Sequence, residues 1–200
     1  TERVIYNSNA GYSAATNNRL SAAKGEYVGI VKSDDCILSE TYETLYETAD
    51  FKQFWSTERS RKFEFVALSK KKARYNTSPY LLSDITYYEQ KVNQPGIYRK
   101  AFLSEYDIRF NEPPSAAYQE NGFRLQLFAY ASTTYFVDAA LHFIRLDNPN
   151  SPVKNQGQVY TIRLEYDHIR NMLKKKGLHT QYIRNVRRYE MRELSIDYCA

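Results

Sequence analysis

Apolar positions follow two alternating spacings through the first fifty residues of the chain. Residues 13–24 carry apolar side chains at helical intervals, residues 26–31 form a short apolar run, and residues 42–49 return to helical spacing. These periods predict a helix, then a strand, then a second helix. Because strands and helices alternate along the chain, the pattern predicts an α/β fold.

Local signals define the ends of the first elements. Residues 4–6 predict a minimal strand, and Ser13 is a candidate N-cap for the helix that follows. Gly25 stands where a glycine commonly ends a helix in the left-handed conformation. These signals place the first helix between Ser13 and Lys24.

The middle of the chain has more mixed patterns. Residues 51–95 predict strand and loop, and residues 97–106 predict a short helix. Two prolines interrupt residues 109–118, which therefore predict a loop. Beyond that loop we expect a helix over residues 119–131 and two short strands about a turn within residues 134–145.

The end of the chain has a purely helical pattern. Apolar residues recur at helical intervals up to Leu173, and Gly177 ends that run. A second helix is predicted over about residues 178–195. We therefore divide the chain into a domain at residues 1–157 and a C-terminal helical extension at residues 158–200.

The composition is that of a globular chain with an excess of tyrosine. Two hundred residues, with 42% apolar and 26% charged side chains, are enough for one sizeable core. The 19 tyrosines are typical of wet clefts and interfaces, although a compositional bias explains them equally well. A net charge of +5 indicates an anionic partner, but no nucleic-acid recognition motif accompanies that charge.

Cysteine usage and hydropathy predict a cytoplasmic location. Cys36 and Cys199 form neither a metal-ligand spacing nor a disulfide framework, which fits a reducing compartment. No run approaches the roughly 20 apolar residues that a membrane span requires. The opening segment TERVIYNSN lacks the apolar middle region of a signal peptide.

Two adjacent aspartates follow the predicted strand in the segment GEYVGIVKSDDCI. Asp34 and Asp35 would lie just past the carboxyl end of a strand, where open α/β sheets bind ligands. Mg²⁺ and Mn²⁺ prefer carboxylate oxygens and need only one or two of them from the protein. For the pair alone, a turn in front of a helix is the simpler explanation.

The residues around this pair resemble a known family. The segment NAGYSAATNNRLSAAKGEYVGIVKSDD resembles the middle of family 2 glycosyltransferases, which have the GT-A fold. The matching positions are Asn9, Gly11, Ser13, Ala15, Asn17, Leu20, Ala23, Gly25, Glu26 and Tyr27. GIYRKAFL, IRFNEPPSAAYQENGF and LHFIRLDNPNSPVKN look like later segments of bacterial members with capsule or lipooligosaccharide substrates. The resemblance implies a GT-A-like mixed sheet flanked by helices, with residues 1–157 as a partial GT-A domain.

Three positions depart from the family pattern. Thr16 replaces an arginine, Arg19 replaces a glycine, and Lys32 replaces the first aspartate of a D-x-D-D motif. A lysine at that position could meet a phosphate directly or weaken donor binding. Residues 1–8 also lack the family's opening strand and D-G-S-x-D loop, so we expect the N-terminal nucleotide-binding segment to be absent from this chain.

The resemblance implies a metal-dependent, inverting transfer of a sugar from a nucleotide-sugar donor to a hydroxyl of a cell-surface or lipid-linked glycan. It implies Asp34 as the ligand of Mn²⁺ or Mg²⁺, and it implies donor-binding roles for Lys32, Asp35 and Asn9. For Asn9 alone, a turn residue is the simpler explanation. Glu120, in YQENGF, aligns with the aspartate that relatives use as catalytic base. The alternative for Glu120 is a first-turn glutamate that faces the helix dipole.

Three other polar residues are weaker candidates. Glu112 is a second possible base or a solvated loop residue. His142 and Arg145 follow a predicted strand, where a cation could reach a phosphate. A lone histidine among apolar neighbours is more often packed than bound to a ligand.

The predicted C-terminal helices are strongly basic. Their cations between residues 170 and 192 are Arg170, Lys174, Lys175, Lys176, Arg184, Arg187, Arg188 and Arg192. Together with the apolar stripe they resemble an interfacial amphipathic helix that could rest on anionic lipid at the inner face of the plasma membrane. The alternative is a helix packed on the domain with a solvated basic face.

The sequence leaves functional hypotheses of different classes. The first is an active glycosyltransferase. The second is a catalytically impaired GT-A-like module for glycan binding or assembly, which the departures at Thr16, Arg19 and Lys32 favour. A nucleic-acid binder ranks last, and we expect no nucleic-acid partner.

Overall fold

The computed structural model describes the chain in eight segments. These segments are residues 11–49, 65–68, 74–76, 96–112, 118–131, 134–137, 139–145 and 158–198. The strand predicted at residues 4–6, the donor-binding role of Asn9 and most of residues 51–95 lie outside them.

Six helices and seven strands make up the described segments. The helices are α1 (Gly11–Ala22), α2 (Thr41–Ala49), α3 (Lys100–Glu105), α4 (Gln119–Tyr130), α5 (Gln158–Lys175) and α6 (His179–Tyr198). The strands are β1 (Tyr27–Gly29), β2 (Cys36–Ile37), β3 (Phe65–Leu68), β4 (Arg74–Asn76), β5 (Gly96–Arg99), β6 (Thr134–Val137) and β7 (His142–Phe143). The mixture confirms the predicted α/β class.

The strands form two sheets. The larger sheet has the order β1-β5-β3-β6-β4, and its neighbouring strands are antiparallel except β3 and β6, which are parallel. Val66 of β3 pairs with Ile97 of β5 on one side and with Tyr135 of β6 on the other. β2 and β7 form a separate antiparallel pair, in which Ile37 lies opposite His142.

The chain folds into two compact units, each assembled from separate stretches of sequence. Of the described elements, the first unit contains α1, residues 109–112, the first part of α4, and helices α5 and α6. The second contains both sheets, α2, α3 and the end of α4. Helices α5 and α6 thus share a unit with α1, and the division of the chain after residue 157 stays a prediction.

The second unit buries one face of α2 against the large sheet. Leu45 and Ala49 lie four residues apart on that helix, so their side chains share one face. They pack with Val66 of β3 and Ile97 of β5 in one apolar cluster. This packing fixes the helix that follows the two aspartates.

Helices α5 and α6 pack against each other along an apolar seam, as their periodicity predicts. Its buried residues are Ile162, Tyr166, Ile169, Leu173, Tyr182, Val186 and Tyr189. Gly177, at φ +71°, ends α5: its amide donates to the Lys174 carbonyl and the Leu178 amide donates to the Leu173 carbonyl. This pair of bonds is a Schellman motif, which confirms the helix end predicted at Gly177. Among the described helices, none has the length and apolar content needed to cross a bilayer.

The helix predicted over residues 97–106 is wrong in its first part. Strand β5 runs over Gly96–Arg99, and the helix begins only at Lys100. Ile97 and Tyr98 are buried, and β5 pairs with β1 on one side and β3 on the other. β-Branched and aromatic side chains suit such a central strand, and its partners lie far away in sequence.

The predicted limits of the first helix also need correction. Helix α1 begins at Gly11, so Ser13 lies inside it and does not cap it. The buried Ser13 hydroxyl donates a hydrogen bond to Gln119 Oε1. The helix ends at Ala22, and Gly25 does not adopt a left-handed φ. Both residues matched a local cap signal, but a tertiary contact determines the position of Ser13.

Candidate active site

The two aspartates lie in a tight turn between β1 and β2. The backbone amide of Asp35 donates to the carbonyl of Lys32 over 3.1 Å, which closes a four-residue turn. The turn leads directly into β2, and β2 is held by β7. A turn and a ligand site are therefore not exclusive alternatives here, because the turn sets the position of both carboxylates.

Asp35 ties this turn to β7 and the residues after it. Its Oδ1 accepts a hydrogen bond from the backbone amide of Arg145 at 3.2 Å. Its Oδ2 lies 3.2 Å from Nε2 of His142, and the Asp35 and His142 side chains are only 3% and 6% exposed. This contact is within ion-pair distance, but it does not meet the geometry of a hydrogen bond. The contacts described for Asp35 are structural, and its role in donor binding stays a prediction.

Asp34 and Lys32 belong to the same turn and are half-buried. Within the described segments, no group of three or more His, Cys, Asp or Glu side chains is arranged to hold a metal ion. Mg²⁺ is commonly bound by one or two carboxylates, with phosphate oxygens and water as the other ligands. Asp34 offers a carboxylate of the type that such a cation binds, and its role as a metal ligand stays a prediction.

Glu120 lies in the first turn of α4 and is half-buried. The helix begins after Tyr118, whose φ of +63° is unfavourable for a tyrosine, and the Tyr118 carbonyl accepts from the amide of Asn121. Gln119 and Asn121, on either side of Glu120, are buried. The backbone that carries Glu120 is thus closely packed on both sides.

Helix α5 contributes a buried carboxylate to this region. Glu165 is 1% exposed, and its Oε1 accepts a hydrogen bond from the backbone amide of Gly122 at 3.0 Å. Its Oε2 accepts a hydrogen bond from Nδ2 of Asn111 at 2.8 Å. One side chain of the C-terminal helices therefore binds both the start of α4 and the segment that precedes it.

Helix α6 contributes a second carboxylate. Oε2 of Glu193 accepts hydrogen bonds from Nδ2 of Asn121 at 2.8 Å and from the Tyr166 hydroxyl at 3.1 Å. Nη2 of Arg124 donates to Oδ1 of Asn121 at 2.8 Å and lies 4.0 Å from Oε1 of Glu193. The amide of Asn121 is thus held between a carboxylate and a guanidinium.

The surroundings of these glutamates favour their neutral forms. Burial raises the pKa of Glu165 to about 7, and the charges of Glu120 and Glu193 act in the same direction, although the bonds from Asn111 and Gly122 oppose them. Burial also raises the pKa of Glu193, against the opposing charge of Arg124. Mutual repulsion therefore links Glu120 to two carboxylates of the C-terminal helices.

Asn17 holds the segment that precedes α4. Its Nδ2 donates to the Phe110 carbonyl at 2.9 Å and to Oε1 of Glu112 at 2.7 Å, and its Oδ1 accepts from the Phe110 amide at 2.9 Å. The Phe110 ring stacks on Phe123 of α4 with 4.4 Å between the ring centroids. Glu112, a candidate base in the sequence, is thus bound to the helix that carries the family pattern.

Comparison with known proteins relates the chain to glycosyltransferases. No protein-family model matches it. The chain is 27% identical over 160 residues to EpsJ of Bacillus subtilis (strain 168), an uncharacterised glycosyltransferase, and the match covers 74% of this chain and 46% of EpsJ. In sequence, the chain is therefore a relative of a glycosyltransferase.

Comparison with solved structures finds a similar fold in S. aureus TarS. The chain matches S. aureus TarS 1–349 with a TM-score of 0.54 and 20% identity, over 88% of this chain and 51% of that one. The complex of that TarS fragment with UDP-GlcNAc matches with the same score over 81% of this chain and 48% of its own length. The chain shares part of the TarS fold, and it spans about half the length of these relatives.

The structure brings together some of the predicted residues and adds others. Lys32, Asp34 and Asp35 share one turn, with His142 and Arg145 against Asp35. The catalytic role of Glu120 and the metal-binding role of Asp34 stay predictions.

Sequence reasoning missed Glu165 and Glu193. Their signal was present, because each glutamate occupies a position on the apolar stripe of its helix. Glu165 lies between Ile162 and Ile169, and Glu193 follows Tyr189 by four residues. A glutamate at a core position calls for a buried partner, and the sequence does not show which one.

Proposed function

We propose that this chain contains a GT-A-type domain of a family 2 glycosyltransferase. In this proposal the protein transfers a sugar from a nucleotide-sugar donor to a hydroxyl of a bacterial cell-surface glycan, such as a capsule or lipooligosaccharide. The reaction depends on a divalent metal and inverts the anomeric centre.

One observation carries the proposal: the turn that holds Asp34 is fixed by Asp35 to His142 and to the amide of Arg145. In this arrangement Asp35 holds the turn, and the carboxylate of Asp34 is presented at a defined position after β1. Similarity to EpsJ and to the fold of TarS, which was crystallised with UDP-GlcNAc, supports a nucleotide-sugar as the donor.

Asp34 would hold the divalent cation, which neutralises the charge of the departing diphosphate. Lys32 begins the same turn and would offer a positive charge to a donor phosphate. Asp35 would keep both residues in place through its contacts with His142 and Arg145.

Glu120 would act as the base. The oxygen of the acceptor hydroxyl forms a bond to the anomeric carbon, the bond from that carbon to the diphosphate breaks, and the hydroxyl proton moves to the Glu120 carboxylate.

A transfer assay tests this function. UDP-GlcNAc, UDP-glucose and UDP-galactose are each offered with Mn²⁺, and release of UDP is followed with and without an extract of cell-surface glycan. We expect activity with one donor, its loss in EDTA, and its loss in Asp34→Asn and Glu120→Gln. Glu40→Gln, at an exposed position before α2, is the matched control and should keep full activity. Full activity of Glu120→Gln would remove Glu120 from the mechanism.

The impaired GT-A-like module is the second candidate. Lys32 adds a positive charge in the metal-binding turn, which would oppose cation binding. Thr16, where the family has arginine, is buried and donates to the Tyr12 carbonyl of its own helix, so it offers a ligand no charge. Calorimetry with UDP, GDP and CDP in the presence of Mn²⁺ separates the two candidates. Absence of heat with every nucleotide would favour the module.

A peripheral membrane contact completes the proposal and would place the protein in the cytoplasm at the inner face of the plasma membrane. One side of α6 exposes Arg184, Arg187, Arg188, Met191 and Arg192, and Met191 is 66% exposed. A cationic face around an apolar side chain suits anionic lipid. The protein should sediment with phosphatidylglycerol vesicles but not with phosphatidylcholine vesicles, and Arg187→Gln/Arg188→Gln should weaken that binding. Equal recovery with both lipids would contradict the contact.

A further inference from the structure

Two glutamates of the C-terminal helices hold the two residues of α4 that follow Glu120. Glu165 binds the backbone amide of Gly122, and Glu193 binds the side chain of Asn121. Both bonds are to residues that follow Glu120 directly. Helices α5 and α6 therefore contact the polypeptide that carries the proposed base, within the same compact unit.

Gly122 permits the first of these contacts. A Cβ at this position would lie 2.6 Å from Oε1 of Glu165, which is too close for two non-bonded atoms. The absence of a side chain thus allows the carboxylate to approach the helix backbone. This explains why a residue with low helix propensity stands inside α4.

The carboxyl group of Glu165 also suits its two donors better than a carboxamide would. It offers one oxygen to the Gly122 amide and the other to the Asn111 amide group. A glutamine has only one acceptor oxygen, so one of the two donors would lose its partner. An acidic side chain stands here at a position where an apolar residue would continue the seam, and its two hydrogen bonds offset part of the cost of burying it.

We propose that Glu165 and Glu193 are positioning residues that hold the first turn of α4, and with it Glu120, in the orientation needed for proton transfer. The proposal rests on the proposed role of Glu120. It gives the C-terminal helices a part in the reaction, whereas their sequence alone indicated only an extension of the domain.

The test uses four variants of the protein. Glu165→Gln removes one of the two acceptor oxygens but keeps the shape of the side chain. Glu193→Ala removes the acceptor of both Asn121 and Tyr166. Gly122→Ala keeps both carboxylates and pushes the first of them away from the backbone. Glu190→Gln is the matched control on α6, because Glu190 pairs with Arg170 of α5 and has no described contact with α4.

Two readouts are measured for each variant. The first is amide hydrogen exchange over residues 119–124, which reports the opening of this turn without any need for activity. The second is the donor dependence of transfer, analysed as separate kcat and KM values. A structural loss alone would lower the amount of folded enzyme, whereas misplacement of the base lowers kcat per folded molecule with an unchanged donor KM.

We expect exchange of the Gly122 amide to be at least about tenfold faster in the first three variants, and kcat to fall roughly 10- to 100-fold. The control should match the wild type in both measurements. Unchanged exchange in Glu165→Gln and Gly122→Ala would show that Glu165 does not hold the first turn of α4, whether or not the protein transfers sugar. Faster exchange with an unchanged kcat would overturn the positioning role. If the wild type transfers no sugar, the proposed function and the catalytic part of this inference fail together. The exchange result still decides whether the two glutamates hold the first turn of α4.

Discussion

Oδ2 of Asp35 lies 3.2 Å from Nε2 of His142, and this contact joins the aspartate turn to a strand more than one hundred residues later in the chain. Both side chains are almost completely buried. The Arg145 amide binds the other oxygen of the same carboxylate. The position of Asp34 therefore depends on a residue that plays no part in the local pattern around it.

Removal of the imidazole should destabilise the second unit. In His142→Ala the buried Oδ2 of Asp35 loses the imidazole nitrogen beside it, and we expect a loss of about 1–3 kcal/mol in the free energy of unfolding. Urea unfolding at neutral pH measures this loss. Glu40→Gln, at an exposed position near the turn, should change stability by less than about 0.5 kcal/mol. Equal stability of the two variants would contradict the importance of this contact.

Stability should fall as the pH rises because of Glu165. Its pKa is about 7 in the folded protein and 4.5 in the unfolded chain, so the folded state binds more protons between these values. The favourable contribution is complete below about pH 4.5 and is lost as the pH rises through about 7, which amounts to about 3 kcal/mol. Urea unfolding at pH 5 and pH 8 should show a smaller difference for Glu165→Gln than for the wild type. The same difference in both proteins would contradict the raised pKa.

Much of the helical structure could be predicted because its cause is local. The apolar periods that define α4, α5 and α6 are visible within each segment. Gly177 ends α5 because a glycine adopts the left-handed backbone conformation without a steric penalty. Strand pairing has no such local cause. Residues 134–145 were expected to form two strands about a turn, but β6 joins the large sheet and β7 pairs with β2.

The candidate site divides in the same way. The pair of aspartates was visible as a motif, and Glu120 was visible through a family resemblance. The contacts that fix them come from distant residues: His142 for Asp35, and Glu165 and Glu193 for the region around Glu120. A glutamate on an apolar helix stripe signals a buried partner, but its identity follows only from the packing of α4 against α5 and α6.

Replacement of Gly177 should weaken the end of α5. Its φ of +71° lies in the left-handed region, where an L-residue with a Cβ pays about 1–2 kcal/mol. We expect Gly177→Ala to lower the free energy of unfolding by that amount. Gly177→Asn should cost less, because asparagine tolerates this conformation better. An alanine variant as stable as the wild type would show that the Schellman motif does not form in solution.

Replacement of Asn17 by aspartate should lower the stability of the protein. An aspartate cannot donate to the Phe110 carbonyl, and it places a second negative charge beside Glu112. We expect Asn17→Asp to cost about 2 kcal/mol or more in thermal or urea unfolding. Asn18→Asp, at the exposed position next to it, is the matched control and should be close to neutral. An equal loss of stability at the two positions would contradict the importance of the hydrogen bonds between Asn17 and the Phe110 backbone.

The most direct test of the central claim is calorimetric binding of UDP to the wild type and to Asp34→Asn, each with Mn²⁺ and with EDTA. The account predicts that Mn²⁺ strengthens UDP binding to the wild type at least about tenfold, which corresponds to about 1.4 kcal/mol, and that Asp34→Asn loses this gain. Binding of UDP that is equally strong with Mn²⁺ and EDTA, or a full metal effect in Asp34→Asn, would contradict the assignment of Asp34 and the metal-dependent transfer built on it.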